Sequence, residues 1–241
     1  MNNMQKNKRM KSALFKFQLE GDGLHRSIAS AIPSASIMLI EGRDGSGKSV
    51  LSQRLSYGFL INGYTVTYIS TELTTKEFLD QMKALNYPVI DFMLDEKLLF
   101  IPVFPTIGRI KSRKDFLTRF MRAQDLFTRD IIVVDSFSSL IYEELKPENV
   151  LSVLSFLKKV VSKNKLVILT LDPDVMEKEC LHHFRSTTDI YFHLEQTVDE
   201  GLQVNRILIK RFLKAEGQIG NIVGFRVIPG AGVVVDITAV S

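Results

Sequence analysis

The sequence lacks the features that mark secreted, disulfide-bonded or membrane-spanning proteins. Cys180 is the only cysteine among 241 residues, so no disulfide can form within the chain, which is typical of a reducing compartment. No run approaches the roughly 18 apolar residues of a membrane-spanning helix, and no apolar stretch follows the basic N-terminus as in a signal peptide. The four histidines do not follow the Cys/His spacing of a zinc site. We therefore expect a cytoplasmic globular protein without a zinc centre.

Excess positive charge is confined to the N-terminus. Residues 1–11 hold four basic residues and no acid, and they account for the net charge of +4, since 27 of the 31 basic residues stand against 27 acids elsewhere. We predict a basic flexible tail over residues 1–12 and a single domain over residues 13–241. An alternative for the tail is contact with an acidic partner or anionic lipid. The neutral body argues against nucleic acid binding, because phosphate backbones attract a broad basic face.

Residues 42–49 carry the strongest motif of the chain, G-x-x-x-x-G-K-S, which is the pattern of a phosphate-binding loop. The apolar run of residues 36–40 before it predicts a buried strand. After it, apolar residues recur at every fourth position until Asn62-Gly63, which predicts a helix that ends there. The motif therefore stands between a strand and a helix, as its chemistry requires.

A loop of this kind binds a nucleotide largely through its backbone. Glycines let the chain curl so that N–H groups face phosphate oxygens, and the start of the helix adds its positive dipole end. Lys48 can reach the β- and γ-phosphates, and the Ser49 hydroxyl can bind Mg²⁺. The predicted nucleotide-binding residues of the loop are Gly42, Arg43, Asp44, Gly45, Ser46, Gly47, Lys48 and Ser49.

The first two-thirds of the chain alternates between strand-like and helix-like segments. This alternation predicts an α/β fold, a mostly parallel sheet with helices on both faces, and the closely spaced strands of the last third predict an antiparallel extension. Pro102 places its strand at the sheet edge, because proline cannot donate to a ladder. The predicted strands span about residues 36–41, 65–70, 98–103, 130–135, 165–170, 189–195, 203–212, 221–228 and 233–237.

Capping residues predict where several helices begin. Thr74-x-x-Glu77 is a capping box, and Pro147 suits the first turn of a helix. A helix after residue 170 is expected to run through about residue 184. Ser112-x-x-Asp115 is predicted to cap a helix with one aromatic stripe, formed by Phe116, Phe120 and Phe127.

Three polar residues that follow or end strands are candidates for chemistry beside the phosphates. Asp135 ends an apolar run, where a carboxylate can hold a Mg²⁺-bound water beside Ser49; the alternative is an aspartate at a helix entry. Glu72 follows the second strand and could orient an attacking water, or it could be a solvated turn residue. Thr170 could sense the γ-phosphate, or it could be a β-branched residue that suits a strand.

The order of these motifs resembles the RecA superfamily, and within it the single-domain KaiC-like proteins. Among these it is similar to the ATP-binding accessory proteins of the archaeal flagellum (archaellum) motor. The resemblance spans about residues 14–237. It is carried by Gly42–Ser49, Ser70-Thr71-Glu72, Val133-Val134-Asp135-Ser136, the lead-in from Gly21-Asp22-Gly23-Leu24 to Ile32-Pro33, and the late segments Val204 to Lys214 and Arg226 to Asp236.

This resemblance implies a RecA-like P-loop NTPase core that forms a hexamer, with ATP and Mg²⁺ at the subunit edges. Lys210 and Arg211 on the late basic strand would reach the nucleotide of the neighbouring subunit. The implied partners are the archaellum motor ATPase and associated cytoplasmic ring or scaffold proteins. The protein would lie at the cytoplasmic face of the motor, in contact with the membrane only indirectly. ATP binding, more than turnover, is implied to matter.

Two other functions stay open beside this one. KaiC shows two adjacent glutamates after the second strand, whereas this chain has Thr71-Glu72, which implies slow hydrolysis or none. A RecA-like ATPase acting on nucleic acid needs mobile, often glycine-rich loops, but Leu171-Asp172-Pro173-Asp174 is acidic and precedes a helix. A KaiC-like autokinase is the third function, since Ser186-Thr187-Thr188 falls near the phosphate acceptors of KaiC; the alternative is that these hydroxyls cap a turn.

Overall fold

A computed structural model of the chain describes residues 14–103, 115–199, 202–215 and 219–236. The predicted tail of residues 1–12 and the predicted capping residue Ser112 lie outside the described residues. Within these four ranges, none of the helices has the length and apolar character needed to cross a bilayer.

Strands and helices alternate along the first two-thirds of the chain, as predicted. The strands are β1 (Leu14–Lys16), β2 (Ala31–Pro33), β3 (Ser36–Gly42), β4 (Val66–Ser70), β5 (Leu98–Pro102), β6 (Ile131–Asp135), β7 (Leu166–Leu171), β8 (Ile190–Asp199), β9 (Leu202–Phe212), β10 (Ile222–Ile228) and β11 (Gly232–Asp236). The α-helices are α1 (Leu24–Ser27), α2 (Lys48–Ile61), α3 (Thr75–Ala84), α4 (Ile90–Leu94), α5 (Phe116–Arg122), α6 (Phe137–Ile141), α7 (Pro147–Val161) and α8 (Lys178–Thr187).

A nine-stranded sheet of order β11-β10-β9-β8-β3-β7-β6-β4-β5 forms the centre of the fold. β3 pairs in parallel with β7 and β8, and the parallel ladder continues through β6, β4 and β5. From β8 to β11 the pairs are antiparallel, because short links join these strands in sequence. β5, which carries Pro102, lies at the edge. The predicted mostly parallel sheet with an antiparallel extension is confirmed.

Apolar side chains cover the sheet on both faces. Successive residues of β3 point to opposite sides, so Leu39 belongs to the core on the side of α7 and α8, whereas Ile40 belongs to the core on the side of α2 and α3. β3, β4, β6 and β7 are buried along their whole length. Burial on both faces explains why these strands read as continuous apolar runs.

A buried ion pair ties the segment before the sheet to α2. β1 and β2 form a small antiparallel ribbon, and Asp22 lies in the turn that follows β1. Arg54 on α2 is fully buried and donates from Nη2 to Asp22 Oδ1 (2.9 Å) and from Nη1 to the carbonyl of Phe17 (2.6 Å). Removing either member would leave a buried charge without its partner. The pair therefore holds the lead-in segment against α2.

Most local capping signals are confirmed. Thr74 and Glu77 form both bonds of the capping box, at 3.1 and 2.8 Å, and Pro147 occupies the first turn of α7. α2 ends at Ile61, followed by Gly63 in a left-handed conformation. The chain also forms α4 and α6, which no pattern predicted, because five residues are too few to show a helical period. α8 continues to Thr187, beyond the predicted end near residue 184.

The aromatic stripe predicted after residue 112 is wrong in part. α5 ends at Arg122, and Phe127 lies in a separate 3₁₀ turn, Gln124–Phe127. The rings of Phe120 and Phe127 still contact edge to face, with centroids 5.2 Å apart. The apolar spacing therefore indicates that both rings belong to the same core, but the helix ends between the two residues.

The start of α5 is capped by a residue that is distant in the sequence. Asp115 makes no side-chain cap bond, and its carboxylate instead accepts from Arg119 Nε at 2.7 Å. The Glu144 carboxylate accepts from the backbone N–H groups of Phe116 and Leu117, at 2.8 and 3.1 Å. These N–H groups have no partner within their own helix, so Glu144 caps the start of α5.

Candidate nucleotide-binding site

The loop between β3 and α2 is packed so tightly that it requires glycine. At Gly47, where φ is 89°, a side chain would come within 3.0 Å of the Phe225 ring on β10. At Gly42, it would come within 2.8 Å of the Leu194 carbonyl oxygen on β8. A side chain is disfavoured at Gly47 by both the left-handed conformation and the lack of space, and at Gly42 by the lack of space. The antiparallel strands therefore form a platform on which the loop is held.

The loop forms one wall of a cleft of about 570 Å³ beyond the carboxyl ends of the parallel strands. Glu72, Ser136 and Asp172, which follow β4, β6 and β7, contribute to the opposite wall, and Gln196 and Asn205 contribute from the antiparallel strands. Ligands of open α/β sheets bind at this end of the strands. The volume lies in the range of small-molecule sites.

Asp135 at the end of β6 binds three hydroxyl groups, and we call these four side chains the Asp135 cluster. Its Oδ1 accepts from Ser49 Oγ at 3.1 Å and from Thr170 Oγ1 at 2.7 Å, and its Oδ2 accepts from Tyr68 Oη at 2.7 Å. Asp135 is 5% exposed. The structure therefore brings together Ser49, Asp135 and Thr170, three residues that the sequence proposed for the site.

The oxygen atoms of this cluster suit Mg²⁺. Magnesium prefers oxygen ligands and is commonly held by one or two protein groups together with water and substrate phosphates. The Ser49 hydroxyl gives its hydrogen to Asp135, so its lone pairs are free to bind a cation. The residues that would hold the ion are Ser49 directly and Asp135 through water. Bound there, Mg²⁺ would neutralise phosphate charge.

The Lys48 ammonium is held against the loop. Nζ donates to the Arg43 carbonyl at 2.8 Å and lies 4.0 Å from the Asp44 carboxylate, which is almost completely exposed. An ammonium group has three hydrogens, so this carbonyl leaves others for phosphate oxygens. Lys48 is buried and lines the cleft. The loop therefore presents a positive charge at the predicted phosphate position.

The other predicted loop residues differ in their surroundings. Arg43 pairs with Asp174 at 3.0 Å, and both side chains are exposed, so this pair contributes little to stability. Ser46 is buried within the loop, where its backbone N–H donates to the Arg43 carbonyl at 3.2 Å. Gly45 lines the cleft and accepts a side-chain hydrogen bond from β8, described below. The loop motif thus contains binding, packing and surface residues.

Glu72 faces the cleft from the segment after β4. The residue is exposed, but partial burial of its carboxyl and the negative charges of Asp135 and Asp44 raise its pKa, against the opposing effect of Lys48. A carboxylate with a raised pKa is a better proton acceptor, as a residue that orients and activates water requires. Its location fits the predicted catalytic role.

Comparison with known proteins agrees with this geometry. A family model described as an ATPase of the KaiC type matches residues 22–234. The archaeal flagellar ATP-binding protein FlaH of Methanococcus voltae is 37% identical over 226 residues, which is 94% of this chain and 98% of that protein. The chain belongs to the KaiC-like ATPase family and, within it, to the FlaH proteins.

Solved structures of KaiC-like proteins share the fold. The crystal structure of the flagellar accessory protein FlaH from Methanocaldococcus jannaschii superposes with a TM-score of 0.87 at 36% identity, covering 93% of this chain and 99% of that one. A KaiC-like protein from Pyrococcus horikoshii gives a TM-score of 0.69 at 17% identity, covering 89% and 95%. The second similarity concerns the fold alone. The predicted RecA-like P-loop NTPase fold is confirmed.

Three residues of this KaiC-like site were missed by the sequence analysis. Tyr68 binds Asp135 from the interior of β4, as described above. Gln196 on β8 donates to the Gly45 carbonyl at 2.9 Å and lies 3.4 Å from the Asn205 amide oxygen on β9. No motif marks these residues. The available signal is a polar side chain within a strand, and this signal does not identify the residue that the side chain contacts.

Lys210 and Arg211 on β9 do not line the cleft of their own chain. Arg211 Nη1 donates to the carbonyls of Arg185, Ser186 and Thr188 at 2.7, 3.1 and 2.9 Å, which satisfies the C-terminal end of α8. Lys210 is exposed. Of the two basic residues, Arg211 is therefore engaged at the end of α8, whereas Lys210 is exposed at the surface.

Proposed function

We propose that this chain is an ATP-binding regulatory or assembly subunit of the archaellum motor complex, which binds Mg²⁺–ATP and docks on the motor ATPase. The observation that carries the proposal is the contact between Ser49 and Asp135 at the floor of the phosphate-binding loop. The flagellar names of its FlaH relatives support the cellular role.

The phosphate groups would be bound by the backbone N–H groups of residues 42–49 and by Lys48. Ser49 and Asp135 would hold Mg²⁺, while Thr170 keeps Asp135 in place at 2.7 Å. In this arrangement Thr170 acts on the metal site through Asp135, which refines its predicted role as a γ-phosphate sensor. Glu72 would accept a proton from the water that attacks the γ-phosphate.

Slow hydrolysis or none is supported by the surroundings of Thr71. This residue takes the place of the first of two glutamates in KaiC. Thr71 is buried, its N–H donates to the Asp135 carbonyl (2.8 Å), and its hydroxyl accepts from the Ser136 N–H (3.0 Å). Thr71 therefore joins β4 to β6 and supplies no base. Glu72 alone remains for proton transfer, which suits a nucleotide switch more than a rapid ATPase.

The proposed assembly is a hexamer of single-domain subunits with ATP at the subunit edges. Lys210 would contact the nucleotide of the neighbour, and we assign Arg211 mainly to the end of α8 because its guanidinium donates three hydrogen bonds there. The proposed location is the cytoplasmic face of the motor, beside the motor ATPase and its ring or scaffold proteins.

The experiment is a measurement of nucleotide affinity and single-turnover hydrolysis, with and without the purified motor ATPase. We expect Lys48→Ala to weaken ATP binding at least about tenfold, because charge-assisted hydrogen bonds to phosphate are lost. Lys97→Ala, which removes an exposed lysine paired with Asp95 on the surface, is the matched control. Unchanged affinity in Lys48→Ala would refute the site, and rapid basal turnover with no affinity for the motor ATPase would refute the accessory role.

A further inference from the structure

Among the described residues, Tyr68 is the one that binds Oδ2 of the Asp135 carboxylate. Oδ1 is shared by Ser49 and Thr170, whereas the hydrogen bond recorded for Oδ2 comes from Tyr68 at 2.7 Å. Rotation about the terminal torsion of an aspartate is soft. The hydrogen bond to Oδ2 therefore fixes, together with the two bonds to Oδ1, which way the carboxylate faces.

Tyr68 is itself held rigidly. It is completely buried on β4, and its ring packs against Phe78 and Phe100, with centroids 5.1 and 6.1 Å away. Because Tyr68 gives its one hydrogen to Asp135, Ser52 Oγ is the donor in its 2.8 Å contact with the Tyr68 oxygen, and it also lies 2.9 Å from the Ser49 carbonyl. The hydroxyl cannot turn away from Asp135 without moving the core.

The Tyr68 hydroxyl is a donor to Asp135 and not a competing anion. A phenol keeps its proton at physiological pH, and Tyr68 Oη donates that proton to Asp135 Oδ2 at 2.7 Å. A hydroxyl satisfies a carboxylate oxygen without cancelling its charge, which leaves that charge for a cation beside Ser49.

We propose that Tyr68 is a positioning residue for the metal site: its hydroxyl fixes the Asp135 carboxylate in the orientation that holds a water of Mg²⁺, and so sets the Mg²⁺ concentration at which nucleotide binds. This rests on the proposed function, since it requires Mg²⁺–ATP in the cleft. Residues that orient metal ligands commonly change metal affinity by 10- to 100-fold when mutated.

The test is a Mg²⁺ titration of nucleotide binding by Tyr68→Phe, with the affinity in excess EDTA measured in parallel. Phenylalanine keeps the ring contacts and removes only the hydroxyl. We expect the Mg²⁺ concentration at half-maximal nucleotide binding, the Mg²⁺ midpoint, to rise on the order of tenfold. The nucleotide affinity without metal should stay unchanged. An unchanged midpoint would overturn the proposal, and so would an equal loss of affinity with and without Mg²⁺, because that would indicate a general structural effect.

Tyr87→Phe is the matched control. Tyr87 is also buried in this core, but its oxygen accepts from the Val233 N–H at 2.8 Å, and it does not contact Asp135. It should lower stability without moving the Mg²⁺ midpoint, and a shift equal to that of Tyr68→Phe would overturn the proposal.

If Tyr68→Phe fails to fold, the same Mg²⁺ titration of Ser52→Ala tests the proposal. Ser52 contacts the Tyr68 oxygen, so its removal should raise the midpoint in the same direction, by about threefold. No shift would overturn the proposal. Absence of nucleotide binding by the unaltered chain would refute the proposed function itself, a result that none of the variant comparisons can produce.

Discussion

Two buried carboxylates at the ends of parallel strands are stabilised in different ways. Asp135 ends β6, and Glu41 stands one residue before the end of β3; their exposed fractions are 5% and 0%. In the described part of the chain, hydroxyl groups are the recorded side-chain partners of Asp135. The side-chain partners of Glu41 include a cation, the guanidinium of Arg185. The two sites lie on either side of β7, and Asp135 is hydrogen-bonded to Ser49, which lines the cleft, whereas the side-chain partners described for Glu41 do not line it.

Glu41 forms a second group, the Glu41 cluster, with Arg185, Tyr191 and His193. Arg185 Nε donates at 2.7 Å, Tyr191 Oη at 3.0 Å, and His193 Nδ1 lies at 3.2 Å. Burial alone would raise the pKa of Glu41, but the hydrogen bond and charge of Arg185, together with Tyr191 and His193, outweigh it and lower the pKa. Burial and the Glu41 charge raise the pKa of Tyr191 to about 12.

The comparison shows how a buried carboxylate is either left able to attract a cation or held in an ion pair within the protein. Hydroxyl donors satisfy the oxygens of Asp135 but leave its negative charge, which can attract a cation from the cleft. Arg185 neutralises Glu41, so this acid anchors α8 and β8 to the strand that leads into the phosphate-binding loop. We expect mutations in the Glu41 cluster to affect stability, and mutations in the Asp135 cluster to affect metal-dependent binding.

The largest expected effect is on stability, from Arg185→Ala. This change leaves Glu41 buried without its cation, which should lower the free energy of unfolding by about 3 kcal/mol. Urea denaturation at neutral pH measures it. Arg119→Ala, which removes an exposed pair with Asp115, is the control and should change stability by less than about 0.5 kcal/mol. Equal losses in both variants would contradict the anchoring role of Glu41.

The second prediction separates the two acids by function. Asp135→Asn removes the charge at similar shape and should weaken the Mg²⁺ dependence of nucleotide binding by about 10-fold or more. Glu41→Gln should lower thermal stability but leave the Mg²⁺ titration unchanged. Parallel Mg²⁺ titrations and melting curves of both variants measure this. The distinction fails if the two variants shift the Mg²⁺ midpoint alike.

The smallest expected effect concerns pH and Glu72. Because its pKa is raised, the folded state holds a proton at Glu72 more tightly than the unfolded state, so stability falls slightly as pH rises from the ordinary glutamate pKa through the raised one. Any hydrolysis should increase over the same range as the carboxylate forms. Glu72→Gln should remove both slopes. Identical pH profiles of the free energy of unfolding for variant and parent would show that the pKa is not raised.

Local sequence patterns predicted those features that depend on interactions between residues close together in the sequence. The glycines and Lys48 of residues 42–49, the apolar run that ends at Asp135, and the capping box at Thr74 each reflect backbone conformation or burial within a few neighbouring residues. The same patterns failed for Phe127, because apolar spacing records that a residue is buried but not that the helix is continuous.

The sequence by itself determined the α/β alternation, the phosphate-binding loop and the acids that follow or end the strands. Tertiary structure alone decided the pairings: Tyr68 with Asp135, 67 residues apart, and Arg185 with Glu41, 144 apart. Such contacts depend on strand order, which places β3 between β7 and β8. Strand order results from the packing of the whole sheet, and no short segment contains that information.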